Sequence, residues 1–255
     1  MHTFADPLKT AISNAAEKTA VIDEGQSFSY QQLNDRCCRL AGALASLGLS
    51  KGDRVAILAA NGHRYIETYV GVPAAGFVVV PLNTRHAIPE LQYALKDSGA
   101  RVLICDRDPG SLADIVERVV MIPEDYESLL ENAEPAALGE NVHENDLAGL
   151  FYTGGTTGAS KGVMLTHRNL LANSLHYLIS TPHYEKDVML VMAPMFHAAG
   201  SIAILPSIWT HGCQVPLAAF NPKAALDEIE KHKVSVTLGV PAMLAAIAEE
   251  QHARP

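Results

Sequence analysis

Two hydrophobic periods alternate along this chain, and that alternation restricts its fold more than any other feature. Leu33, Cys37, Leu40, Leu44 and Leu47 recur at spacings of three and four. They share one face of a helix that Ser29 and Gln32 open as a capping box and Gly48 stops. Arg54–Ala59 follows, short and apolar, as expected of a strand buried on both faces. The pattern repeats with a helix over Tyr65–Ala75, a strand over Phe77–Leu82, a helix opened by Pro89 and closed near Gly99, and a strand over Val102–Cys105. Further strands are expected at Val119–Ile122, Leu147–Tyr152, Val188–Met192, Cys213–Leu217 and Val234–Val240, and an amphipathic helix at Ala242–Glu250. Strands alternating with helices predict an α/β fold with largely parallel sheets. The polar stretch Asn132–Asn145 lacks periodicity and reads as an internal seam or a surface loop.

Composition narrows the function classes. With 48% hydrophobic residues in 255, the chain can bury a sizeable core. A net charge of −9 offers no general attraction for nucleic acid or anionic membrane, so any anionic ligand must be held locally. The longest apolar stretch, Tyr69–Leu82, is broken by Pro73 and Gly76 and falls short of the roughly 18–20 residues of a membrane span. No secretory signal opens the sequence, and a cytoplasmic location is expected. Cys37, Cys38, Cys105 and Cys213 show no C-x-x-C spacing, which predicts reduced, buried thiols.

The chemistry concentrates in one loop. Between a strand ending at Tyr152 and one beginning at Val163, residues Thr153–Gly162 hold four glycines, three threonines, a serine and a lysine, far more than a turn requires. Glycine lets backbone N–H groups approach an oxyanion closely, and threonine hydroxyls donate to phosphate or ligate Mg²⁺, with Thr156 the candidate ligand. At an effective dielectric of about 20, a charge pair at ~4 Å is worth ~4 kcal/mol, against ~0.3–2 kcal/mol for a helix terminus. Lys161 therefore dominates the loop's attraction for a polyphosphate. Neither the Walker pattern nor the dinucleotide fingerprint fits, because Ser160 precedes Lys161 and no helix opens directly after the glycines.

The run YTGGTTGASKG, Tyr152–Gly162, resembles the phosphate loop of the adenylate-forming superfamily, which includes acyl-CoA synthetases, luciferases and peptide-synthetase adenylation domains. Ser160 stands where that pattern often has proline. MLTHRNLLAN (Met164–Asn173) resembles the fatty acyl-CoA ligases. SFSYQQLNDRCCRLAGAL (Ser27–Leu44), KGDRVAILAANG (Lys51–Gly62), GFVVVPLNTR (Gly76–Arg85) and PMFHAAG (Pro194–Gly200) resemble family segments in the family's order.

The resemblance implies a layered αβαβα arrangement of largely parallel sheets with an incomplete second sheet. The first α/β subdomain is expected over 52–192, and parts of the second over 1–51 and 193–255. An apolar face would remain, to be covered by self-association in a homo-oligomer or left as a liability. Thr153, Gly154, Gly155, Thr156, Thr157, Gly158, Ser160, Lys161 and Gly162 would bind ATP, and His197 would border the acyl carboxylate beyond a strand's carboxyl end. Met195, Phe196, Gly239, Val240 and Pro241, with Met243, could line an acyl pocket or form plain core. His197 stands where amino-acid-activating members carry Asp, which favours an acid without an α-amino group. His167 and Arg168 follow Thr166, a helix N-cap, and read as solvated first-turn residues. No H-E-x-x-H motif or Cys/His cluster suggests a structural metal, so the implied metal is Mg²⁺ arriving with ATP.

The implied activity is ATP-dependent activation of a fatty acid followed by transfer to coenzyme A. The alternatives are an aryl-acid CoA ligase and a non-catalytic nucleotide-binding remnant. The later Y-G-x-T-E and T-G-D segments and the C-terminal lysine of the family do not occur in the 255 residues, so weak ATP binding without turnover is expected of them alone.

Overall fold

The computed structural model describes residues 3–153 and 160–254. From the N-terminus the elements are α1 (Ala5–Ala15), β1 (Thr19–Asp23), β2 (Gln26–Ser29), α2 (Tyr30–Ser46), β3 (Arg54–Leu58), α3 (His63–Ala74) and β4 (Val78–Pro81). Next come α4 (Ile88–Ser98), β5 (Ala100–Cys105), β6 (Arg118–Met121), α5 (Glu124–Glu131), β7 (Leu147–Thr153) and β8 (Lys161–Thr166). The remainder comprises α6 (His167–Ser180), β9 (Val188–Val191), α7 (Ala198–Ser201), α8 (Ile204–Trp209), β10 (Cys213–Pro216), α9 (Pro222–His232), β11 (Val236–Thr237) and α10 (Pro241–Ala253). Two compact units result. Met1–Asp6, Asn34–Ala59 and Arg64–Ala172 form the first; Pro7–Leu33, Ala60–His63 and Asn173–Pro255 form the second.

The first unit is built on a six-stranded sheet in the order β6-β5-β3-β4-β7-β8. All its pairings are parallel except β7 with β8, so the one antiparallel strand is an edge strand. The parallel strands are the continuous apolar runs of the sequence. Leu58, Val80, Leu103 and Cys105 are buried with Leu91 and Leu95 of α4, each such aliphatic side chain worth roughly 1.5–3 kcal/mol. The polar stretch 132–145 lies wholly inside this unit and is a surface loop rather than a division.

The expected start and stop of α2 are both present. The Ser29 N–H donates to Gln32 Oε1 at 2.7 Å and the Gln32 N–H to Ser29 Oγ at 3.2 Å, a reciprocal capping box. Leu33, Cys37, Leu40 and Leu44 are buried. Leu47 falls past the helix end and is half-buried. At Gly48 the backbone turns left-handed (φ +82°), and the Leu49 N–H reaches back to the Leu44 carbonyl at 3.2 Å. In the first unit Arg36 of α2 bonds Glu67 of α3 at 2.6 Å and Glu127 of α5 at 2.9 Å, and Arg64 bonds Glu127 at 2.6 Å. Tyr126 donates its hydroxyl to Glu67 at 3.0 Å. Burial pushes the Glu127 carboxyl up, but Arg36 and Arg64 together hold it below its ordinary value.

The second unit carries a five-stranded sheet, β11-β9-β10-β1-β2, again parallel except for one edge pair, β1 with β2. Neither sheet closes on itself. Leu190, Met192, Val215 and Ala225 form its core, with Met243 and Ile247 packed partly against them. Two expectations need correction here. The strand expected over Val234–Val240 is only Val236–Thr237, paired with Met189 and Leu190 of β9. Pro241 then holds Val240 extended (φ −69°, ψ 155°) as the N-cap of α10. The second correction is α10 itself, which is not amphipathic. Residues 241–248 are apolar on every side, polar residues are confined to the end, and none of the helix is buried.

The four cysteines are free thiols, Cys37, Cys105 and Cys213 buried and Cys38 half-buried. Burial pushes the Cys213 thiol up to about 11. Among the described residues no helix is long and apolar enough to cross a membrane.

Candidate functional site

The strands that flank the glycine-rich stretch, β7 and β8, are an antiparallel pair in the first unit. The β7–β8 register pairs Thr153 with Lys161 and Tyr152 with Gly162, so both ends of the loop are held side by side. The Ser160 hydroxyl donates to the Thr153 carbonyl at 2.6 Å across its mouth. Thr153 and Lys161 are exposed. Gly154, Gly155, Thr156, Thr157 and Gly158, and with them the candidate Mg²⁺ ligand, lie outside the described residues.

Tyr152 braces this hairpin, a role no local sequence signal announces. Its hydroxyl donates to Asp97 Oδ2 of α4 at 2.7 Å, and its ring meets Tyr93 edge-on at 6.5 Å. A Cβ at position 162 would come within 3.2 Å of the ring, a tight contact that Gly162 avoids. Burial, and then the Asp97 carboxylate, push the phenol up and keep it a hydrogen-bond donor.

From β8 the chain enters α6 through Thr166. Its Oγ1 accepts from the Asn169 N–H at 3.2 Å while its own N–H donates to Asn169 Oδ1 at 3.0 Å, the expected N-cap in reciprocal form. Arg168 is exposed and 3.9 Å from Glu144. His167 departs from the solvated role expected for it, being fully buried. Its Nδ1 accepts from the Phe4 N–H at 3.2 Å and its ring packs edge-on against that of Phe4 at 5.4 Å. Burial lowers its pKa to about 4. Since Nδ1 is an acceptor, the neutral ring carries its hydrogen on Nε2.

The acyl-side residues lie in the second unit. Beyond β9 the chain turns through Met195, which is fully buried, and Phe196, which is nearly so, to His197, exposed at the N-cap of the short helix α7. The rings of Phe196 and His197 are 4.5 Å apart. Gly239, Val240 and Pro241 form a separate stretch leading into α10. Val240 and Pro241 are exposed, whereas a Cβ on Gly239 would collide with Met192 Cε at 2.4 Å.

Sequence reasoning gave Asn61 no role of its own, only a place within the segment KGDRVAILAANG. It is 8% exposed, its Oδ1 accepts from the Met195 N–H at 2.8 Å, and its Nδ2 donates to the carbonyls of Ala193 at 2.9 Å and Val191 at 3.2 Å.

The sequence matches the AMP-binding enzyme family over residues 8–255. The chain belongs to that family. The adenylate-forming resemblance of Tyr152–Gly162 thus holds for the chain as a whole. The chain is 39% identical over 233 residues to a feruloyl-CoA synthase of Amycolatopsis sp, a match covering 90% of the chain and 47% of that protein. It is 34% identical over 239 residues to a long-chain-fatty-acid–CoA ligase of Thermus thermophilus, covering 87% of the chain and 43% of the ligase. The crystal structure of ATP-bound MatB from Rhodopseudomonas palustris is similar with a TM-score of 0.86 at 30% identity, over 95% of this chain and 50% of that one. The chain therefore spans about half the length of the curated relatives it matches.

Proposed function

We propose that this chain is the front part of an ATP-dependent acid–CoA ligase. The carboxylate of the acid attacks the α-phosphorus of ATP, an acyl–oxygen–phosphorus bond forms as pyrophosphate leaves, and the thiol of coenzyme A then displaces AMP. Two anions must meet, so positioning and charge neutralisation carry the rate. The observation that supports this most is the hairpin pairing of Thr153 with Lys161, which fixes both ends of the glycine- and threonine-rich loop and sets its lysine at the mouth. On this reading Thr153, Ser160, Lys161 and Gly162, with Gly154–Gly158, hold the β- and γ-phosphates. His197 borders the carboxylate, and Met195, Phe196, Gly239, Val240 and Pro241 stand on the acyl side. Thr156 would ligate the Mg²⁺ that accompanies the nucleotide, which would neutralise phosphate charge there. Residues 52–192 are read as the first α/β subdomain of the adenylation domain and 1–51 with 193–255 as parts of the second, and the protein is placed in the cytoplasm.

The higher identity to feruloyl-CoA synthase, 39% against 34% for the fatty-acid ligase, favours an aromatic acid, with a fatty acid as the second reading. ATP–pyrophosphate exchange by the full-length protein with ferulate and with palmitate decides between them. A rate with ferulate at least about tenfold higher is expected, a difference of about 1.4 kcal/mol in the barrier. The reverse order restores the fatty acid, and exchange with neither refutes both. The 255 residues assayed alone are expected to give none.

A further inference from the structure

We propose that Asn61 is a positioning residue for the acyl side of this site: its carboxamide holds the backbone from Val191 to Met195 and so sets where Phe196 and His197 stand. The inference rests on the reading of His197 as bordering the acid, and goes beyond it by naming what fixes that residue's place. The β9–β10 ladder ends at the pair Val191 and Pro216. Just past it, the Leu217 N–H takes one lone pair of the Val191 carbonyl at 3.0 Å. From there Asn61 takes over from the sheet, accepting from Met195 and donating to Ala193 and Val191. One acceptor beside two donors is what a short primary amide supplies. An aspartate would turn a charge toward two carbonyls, and an alanine would leave three backbone groups without it. At 8% exposure, water replaces these bonds poorly.

The anchor is itself held. Asp23 Oδ2, at the end of β1, accepts from the His63 N–H at 2.8 Å and lies 2.8 Å from the His63 ring Nδ1. Phe28 stacks on that ring at 4.6 Å. A Cβ at Gly62 would come within 3.2 Å of the same carboxylate oxygen. Residues 60–63 thus form a bracket with one foot at the end of β1 and the other at the exit of β9, all within the second unit.

Amide hydrogen exchange on the full chain tests the contact directly. In Asn61→Ala the Met195 amide is expected to exchange at least about tenfold faster while amides of β1 and β10 keep their rates. Unchanged exchange at Met195, or a uniform rise across the second unit, overturns the proposal. In the full-length enzyme the same variant is expected to raise KM for the acid about tenfold and KM for ATP less than about twofold, and an equal rise in both overturns it. Asn61→Asp gives a readout that lost packing does not, and carries the test if the alanine variant fails to fold. Its defect is expected to be several-fold milder at about pH 5 than at about pH 8, where the carboxyl cannot donate to Ala193, and a pH-independent defect overturns the inference. Should Met195 exchange respond as expected while no acid supports adenylation by the wild type, the functional reading fails and the role of Asn61 in this turn stands.

Discussion

Lys161 brings the only full charge of the glycine- and threonine-rich stretch to the first position of β8, exposed and opposite Thr153. Its proposed work is electrostatic, and its removal is expected to be felt in the reaction and not in the fold. Lys161→Met in the full-length protein should lower ATP–pyrophosphate exchange about 100-fold, the usual loss when one oriented donor to a developing charge is deleted. The same variant should change unfolding free energy by less than about 0.5 kcal/mol, since the side chain is exposed. Thermal melts beside the exchange assay check both halves; a large drop in stability would mean that Lys161 serves the hairpin.

At the scale of elements, the ion-pair network across α2, α3 and α5 gives the first unit a specific weakness. Glu67 is 1% exposed, and Arg36 supplies its bond at 2.6 Å. Arg36→Met strips a buried carboxylate of that partner and is expected to cost about 3–5 kcal/mol, measured as a fall in the urea midpoint. Arg36→Met with Glu67→Gln should recover part of the loss. Elements of this kind were legible in the sequence wherever the signal is local. The capping box at Ser29 and Gln32, the buried face of α2 and the Thr166 cap all depend on residues three or four apart. Elements whose extent depends on a distant partner were not. β11 forms only where Val236 and Thr237 meet Met189 and Leu190 of β9, and His167 is buried against Phe4, 163 residues away. Asn61 was illegible for the same reason, since an Asn-Gly pair is a turn signal whatever its side chain reaches. Two of the limits between the units, Leu33/Asn34 and Ala172/Asn173, fall inside helices, where neither a breaker nor a change of composition marks them.

For the molecule as a whole, His167 predicts how stability responds to acid. Burial, helped by Lys51, lowers its pKa to about 4 from an ordinary 6.5, against the opposing pull of Asp146 and Asp6. Above pH 6.5 the ring is neutral both folded and unfolded and adds no pH dependence. As pH falls from 6.5 toward 4 the unfolded chain takes up a proton that the folded chain refuses, so stability declines across that window. At about 1.4 kcal/mol per pH unit the decline from this group is at most about 3 kcal/mol. Urea unfolding between about pH 7 and pH 4 should show it. His167→Asn, which keeps an acceptor for the Phe4 N–H and does not titrate, should flatten the curve. The hairpin has a consequence of another kind. A loop whose two ends are clasped by a neighbouring pair of strands can change its composition without asking anything of the rest of the sheet. Damage confined to it is therefore expected to leave expression level and melting temperature as they were, and a survey of variants scored on abundance alone would pass over the residues proposed to hold the phosphates.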